Sequence, residues 1–266
     1  MQDYLANSLT KPGYVLEWHD EFEGSELDRT KWLPYYLPQW SSRKQSAPRY
    51  TLRDKTLVLQ ITEDQPAWCP EFDGEVKASC IQTGLFAGPL GSKFGQLRFN
   101  PELVVRETQT NVQLYTPLYG YFECKAQASA TRGNHVSLYM IGYEDRPERS
   151  AEICMFEIFG NDVRASSATV RYGIHPWADS ILTDEFYNDT LDLDVTQFHI
   201  YAIEWTPTYI DFFIDNQRRR RIDQSPRYPM QFMLAIYELP GGDSNADYPK
   251  EFAVDYVRGY QPINGY

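Results

Sequence analysis

No stretch of this 266-residue chain approaches the ~18 consecutive apolar residues of a membrane-spanning helix, so no membrane partner is expected. Basic charge is scarce. The 25 Lys and Arg stand against 37 Asp and Glu, a net charge of −12, whereas nucleic acids and anionic membranes favour a basic face. The same balance argues against strongly anionic polysaccharides. Its one local exception, Arg218–Arg221, follows Asp215-Asn-Gln217 and reads as the solvated flank of a hairpin. Cysteine is sparse too. Cys69, Cys80, Cys124 and Cys154 make neither a Cys-x-x-Cys pair nor the Cys/His spacing of a metal site. Cys69 and Cys80 could bridge a loop in an oxidising compartment; free buried thiols are the simpler expectation. The start, Met1-Gln-Asp-Tyr4, shows no basic segment followed by an apolar one, so no secretory leader is read, and the chain is expected either to stay inside the cell or to have had a leader trimmed away. Repeats, low-complexity tracts and linkers are also missing, which predicts a single domain over residues 1–266; a monomer is expected.

Aromatic residues, in contrast, are plentiful. They reach 15%, with 20 Tyr and 6 Trp, types that favour strands, while 17 Pro and 16 Gly supply frequent turns. No long stretch carries the 3.6-residue period of an amphipathic helix. Strands are predicted at Thr56–Ile61, Tyr119–Ala126, His135–Gly142, Ala151–Phe159, Phe198–Trp205, Tyr209–Ile214, Met230–Tyr237 and Phe252–Tyr260. That spacing predicts an all-β sandwich or barrel. The three strands between Tyr119 and Phe159 read as consecutive antiparallel neighbours, the last two joined by the charged turn Tyr143–Ser150. In the middle strand Val136, Leu138 and Met140 should face the core, leaving His135, Ser137 and Tyr139 toward solvent or a cleft. Trp18, Trp32 and Trp205 sit in apolar strand contexts and are expected in the core.

The segment Ala151-Glu-Ile-Cys-Met-Phe-Glu-Ile-Phe159 places two acids inside an apolar strand. Under strict alternation Glu152 and Cys154 share a face and Glu157 points away. One extra residue, a β-bulge near Met155-Phe156, returns Glu157 to that face and leaves Ile153 and Ile158 in the core. Two carboxyls on one face suit glycoside hydrolysis, one as nucleophile and one as proton donor and then base. The alternative is a pair of acids matched to basic residues on a solvated face. Cys154 itself could serve as a nucleophile if His135 or His175 came within reach as a base.

This strand resembles the Glu-x-Asp-x-x-Glu signature of glycoside hydrolase family 16, in the bulged form of its laminarinase-like members. Other segments agree in order: Glu17-Trp-His-Asp-Glu-Phe-Glu-Gly24 with Leu27-Asp28 and Lys31-Trp32, then Tyr119-Gly-Tyr-Phe-Glu123, Phe198-His-Ile-Tyr-Ala-Ile-Glu-Trp205 and Val254-Asp-Tyr-Val-Arg258. The resemblance covers about residues 15–261. It implies a jelly-roll, concanavalin A-like β-sandwich with a substrate groove on its concave sheet, which Tyr119–Glu123 would open. It also implies a retaining, endo-acting hydrolase of a β-linked polysaccharide, β-1,3- or mixed-linkage glucan first, needing no cofactor. Glu152 would be the nucleophile and Glu157 the acid/base.

Cys154 stands where the family motif carries Asp, a third position in the catalytic set. Either a divergent subgroup turns over with Cys there, or the site only binds glycan. Family members of this type show two tryptophans where this chain has His135 and Tyr139, and many show Arg where it has Tyr121. All three residues are candidates for remodelled sugar subsites. The resemblance sets Gly173-Ile-His-Pro-Trp177 beside the groove, with His175 near the sugar and Trp177 either a stacking platform or packed under a loop. Some members bind calcium on the convex side, which would engage Asp255 with the backbone near Glu21; the alternative is Asp255 paired with an arginine or backbone.

Overall fold

The computed structural model describes residues 2–243 and 247–266. Its strands, in chain order, begin with β1 (Tyr14–Asp20), β2 (Arg49–Arg53), β3 (Thr56–Ile61), β4 (Lys77–Gln82), β5 (Gly84–Leu85) and β6 (Val112–Gln113). The middle of the chain gives β7 (Gly120–Gln127), β8 (Asn134–Gly142), β9 (Glu152–Phe159), β10 (Ala168–His175) and β11 (Glu185–Leu191). The last are β12 (His199–Trp205), β13 (Ile210–Ile214), β14 (Gln217–Ile222), β15 (Met230–Glu238) and β16 (Lys250–Pro262). One short helix, α1 (Pro70–Asp73), lies between β3 and β4.

Two antiparallel sheets face each other in a jelly-roll sandwich. The larger has eight strands in the order β14-β13-β12-β7-β16-β3-β2, with β1 also paired to β16; the smaller has six, β11-β10-β9-β8-β15-β4. Alternation along each strand builds the layer between them. Phe122, Cys124 and Ala126 of β7 and Tyr201, Ile203 and Trp205 of β12 meet Val136, Leu138 and Met140 of β8 and Ile153, Phe156 and Ile158 of β9 in one buried cluster. Trp32 and Trp205 are wholly buried there, and Trp18 packs against Trp32 and Tyr115. All four cysteines are free and buried, Cys69 and Cys80 included.

The eight predicted strands are present, but β7 and β8 are not neighbours. β7 pairs with β12 and β16 in the larger sheet, whereas β8 pairs with β9 and β15 in the smaller. The short connection Ala128–Gly133 crosses the sandwich instead of turning a hairpin. Alternation fixes which side chains point inward, but not which sheet receives the strand. Tyr119–Glu123 therefore opens the sheet opposite the one that carries the two glutamates. Tyr121 lies on that sheet's outer face against Tyr14, Phe213 and Tyr260, with the Lys11 ammonium 3.4 Å above its ring, and takes no part in the site.

The arginine run behaves as read. It forms β14, an edge strand joined to β13 through Asp215 and Asn216, both at positive φ as a two-residue hairpin requires. Arg218 and Arg221 pair with Asp211, and Arg220 with Asp189. The two carboxylates considered for calcium each have a protein cation. Asp255 lies 2.6 Å from the Lys125 ammonium, and the Arg258 guanidinium holds both Glu21 oxygens at 2.8 Å. Among the described residues no group of three or more His, Cys, Asp or Glu side chains could hold a metal ion.

The outer face of the six-stranded sheet is itself buried over much of its area. Tyr36, Trp40, Trp68, Val76, Leu103 and Val105, all from the connections between strands, pack onto Tyr139, Ile141, Cys154, Met233, Ala235 and Tyr237 of the sheet. Loops thus wall the sheet face that bears the chemistry.

Candidate active site

The bulge sits where the sequence requires it. Leu138 faces Phe156 and Tyr139 faces Cys154, so Met155 is the extra residue; on the other side Arg171 faces Glu157 and Gly173 faces Cys154. Met155 and Phe156 both enter the core, and Glu152, Cys154 and Glu157 share the outer face. Gly173 makes the neighbouring strand possible. Its φ of +152 is unfavourable for a side chain, and a Cβ there would meet the Glu185 carbonyl oxygen at 2.3 Å.

Glu152 and Glu157 line one cavity of about 220 Å³ with Tyr36, Asp73, Val76, Leu97, His135, Tyr139, Tyr237 and Leu239. Leu97 also lines a cavity of about 570 Å³, shared with Trp177, Ser150 and Glu144; Leu239 also lines one of about 350 Å³, shared with Phe159, Asn161 and Arg171. Each flanking space thus shares one wall residue with the central one, and the glutamates lie in the space between them. That shape suits a chain more than an isolated sugar.

Each glutamate has its own escort. Trp177 donates its indole N–H to Glu152 Oε2 at 3.0 Å while half its surface stays exposed, so the same ring fixes a carboxylate and offers a face to the groove. Its backbone is left-handed, φ +49, which turns the side chain back over the strand. His175, the register partner of Glu152, stacks on Phe186 and donates its Nδ1–H to Asp184 Oδ2, 2.9 Å away. His135 lies 3.4 Å from Glu157 Oε1 through Nε2, an ion-pair distance without hydrogen-bond alignment. Its ring is clamped between Phe159 and Tyr237. Burial, and then the charge of Glu157, push the Glu152 carboxyl up to about 7. Burial also acts on Glu157, but His135, His175 and Arg171 outweigh it and hold that carboxyl below its ordinary value.

The structure brings Glu152, Glu157, Cys154, His135, Tyr139, His175 and Trp177 together and leaves out Tyr121. Tyr139 is buried, its hydroxyl 2.8 Å from that of Tyr237, so it offers the groove an edge and no open ring face. Sequence reasoning passed over Tyr36, Tyr237 and Asp73, which come from distant loops and strands. It also gave no role to Ser137, whose buried hydroxyl faces Glu157 without a partner. Only the alternation of β8 signalled Ser137.

Cys154 is fully buried between the glutamates, and burial with both their charges raises its thiol well above the ordinary range. A thiol that stays protonated is a poor nucleophile. Cys154→Ala should therefore leave turnover within about tenfold of the parent, measured as initial rates. A loss equal to that of a glutamate variant would restore the reactive-thiol reading.

A jelly-roll sandwich with two carboxyls on one face of a bulged strand, set in a cavity flanked by two others, is the architecture of a glycoside hydrolase. The chain belongs to the glycosyl hydrolases family 16, whose family model matches residues 106–258. It is similar to the GlcNAcα1-4Gal-releasing endo-β-galactosidase from Clostridium perfringens, with 33% identity over 99% of this chain and 67% of that one, and a TM-score of 0.88. It is 23% identical over 96% of its length to a keratan-sulfate endo-1,4-β-galactosidase of Sphingobacterium multivorum. A β-glucanase of Rhodothermus marinus is 28% identical over 54% of the chain. The chain spans 57% of the length of each of these last two relatives.

Proposed function

We propose that this chain is a retaining endo-β-glycosidase whose substrate is a galactose-containing glycan, cleaved at a β-galactosidic bond within the chain. The observation that carries the reaction is the pair Glu152 and Glu157 on one face of a bulged strand, each with its own polar escort. The substrate class rests on likeness. Similarity to the Clostridium endo-β-galactosidase runs over 99% of the chain, whereas that to the Rhodothermus β-glucanase covers 54%. The glucan first expected becomes the competing substrate.

In the first step a Glu152 oxygen attacks the anomeric carbon while Glu157 protonates the departing glycosidic oxygen. The C–O bond breaks, the leaving sugar departs as an alcohol, and a glycosyl ester on Glu152 remains. In the second, Glu157, now a carboxylate, takes a proton from water. The water oxygen attacks the same carbon, the ester breaks, and Glu152 is regenerated with the sugar's configuration retained. Trp177 favours the ionised form of Glu152 by donating to it.

The test incubates the chain beside Glu152→Gln with a glycan bearing GlcNAcα1-4Gal units, keratan sulfate, laminarin and mixed-linkage glucan, reading products by mass spectrometry. Cleavage of a galactose-containing member only, absent in the variant, is expected. Cleavage of laminarin alone would return the substrate to glucan. Glycan binding with no turnover, unrescued by Cys154→Asp, would make the chain a binding protein.

A further inference from the structure

The central cavity contains a third carboxyl that the double displacement does not use. Asp73 ends α1, a four-residue helix in the connection between β3 and β4, and its side chain lines the same space as Glu152, Glu157 and His135. One of its oxygens is occupied. Trp68, wholly buried, donates its indole N–H to Asp73 Oδ2 at 2.6 Å. The other oxygen has no protein donor among the described residues, although Asp73 is half-buried and burial raises its carboxyl.

The carboxyl is held in place from several directions. Phe72 and Asp73 donate their backbone N–H groups to the Cys69 carbonyl, and Trp68 donates its own to Val76. Arg106 pairs with Glu71 and lies over the Phe72 ring. Trp68 in turn packs edge-on against Tyr36, which meets Tyr237 in the same way. A fixed acceptor with one open oxygen thus stands over a floor of tyrosine and histidine. The rest of the wall, Val76, Leu97 and Leu239, is apolar. Apolar walls with one aimed acceptor are how a site recognises a ring that is greasy on its faces and hydroxylated at its rim.

We propose that Asp73 is a substrate-binding, specificity-determining residue, whose open oxygen accepts hydrogen bonds from the hydroxyls of the single sugar ring that fills the central cavity. The ligand of this subsite is a neutral hexose with free hydroxyls, because Asp73, Glu152 and Glu157 together repel a sulfate or carboxylate substituent placed among them. The inference rests on the functional reading above.

Asp73→Asn is the informative variant. Its amide oxygen still accepts from Trp68, while its NH2 group presents donors where the sugar needs an acceptor. On the panel member that the parent cleaves, kcat/KM should fall about ten- to fiftyfold, mostly through KM, with the melting temperature unchanged. Among monodeoxy analogues of that oligosaccharide, one should lose a similar factor with the parent and little with the variant. A purely structural Asp73 would lower stability and leave this discrimination intact.

Equal kcat/KM in parent and variant would overturn the assignment while leaving the hydrolase reading whole. Should the variant fail to fold, the analogues decide with the parent alone: no analogue losing rate overturns it. A parent that cleaves nothing in the panel sinks the functional reading, and this one with it.

Discussion

Glu152→Ala should lower turnover by on the order of 10⁴-fold or more, and azide should restore cleavage of an activated aryl β-glycoside with inverted configuration in the product. The inversion follows from the roles. With the carboxylate gone, azide enters the space it vacates beside Trp177, attacks the anomeric carbon from that face, and releases an α-glycosyl azide. Glu157→Ala should give the opposite anomer. There Glu152 still forms its ester, because an aryl leaving group departs without a proton. Azide, needing no general base, then displaces Glu152 from the other face to give a β-glycosyl azide. The anomeric coupling constants of the two products read the assignment directly. Exchanged anomers would exchange the roles, and no azide adduct from either variant would remove the covalent step.

Cys154 sharpens what these variants measure. It lies between the glutamates, where a third acid would otherwise add negative charge to a pair already close enough to perturb each other. A neutral thiol fills that position without repelling either neighbour, and Trp177 supplies Glu152 with a hydrogen-bond donor from outside the strand. The orientation of Glu152 is therefore carried by a loop residue.

Much of this site was legible in the sequence because β-structure encodes facing in a period of two. Two acids five residues apart demanded a bulge, and the bulge is there at Met155-Phe156. Alternation in β8 likewise delivered His135 and Tyr139 to the correct face. What alternation does not encode is partnership across the sandwich. The same pattern serves a strand in either sheet, so β7 and Tyr121 were assigned to the wrong one. Loops were harder still. Tyr36 and Asp73 are held at the cavity through Trp68 and Tyr237, and no local pattern marks a residue such as Tyr36, whose place is set by a strand residue 201 positions further along the chain.

Activity should trace a bell against pH, with its alkaline limb near 7 and its acid limb below the ordinary glutamate range. Double displacement needs the glutamate pair to hold one proton: none leaves the departing oxygen unprotonated, and two leave no nucleophile. The pair titrates as a unit, so the limbs belong to its first and second protons and not to separate residues. The raised step, about 7, comes from burying Glu152 beside the charge of Glu157. The lowered step comes from His135, His175 and Arg171 acting on Glu157 against the cost of its burial. In the free chain the shared proton favours Glu152. A bound glycosidic oxygen accepts a hydrogen bond only from protonated Glu157, so substrate draws the proton across to the acid that must donate it. Above the upper limb kcat/KM should fall tenfold per pH unit, about a hundredfold by pH 9. His135→Phe removes a group that lowers Glu157 and should move the acid limb upward. An alkaline limb that stayed flat to pH 9, or an acid limb unmoved in His135→Phe, would mean that these carboxyls do not share the catalytic proton.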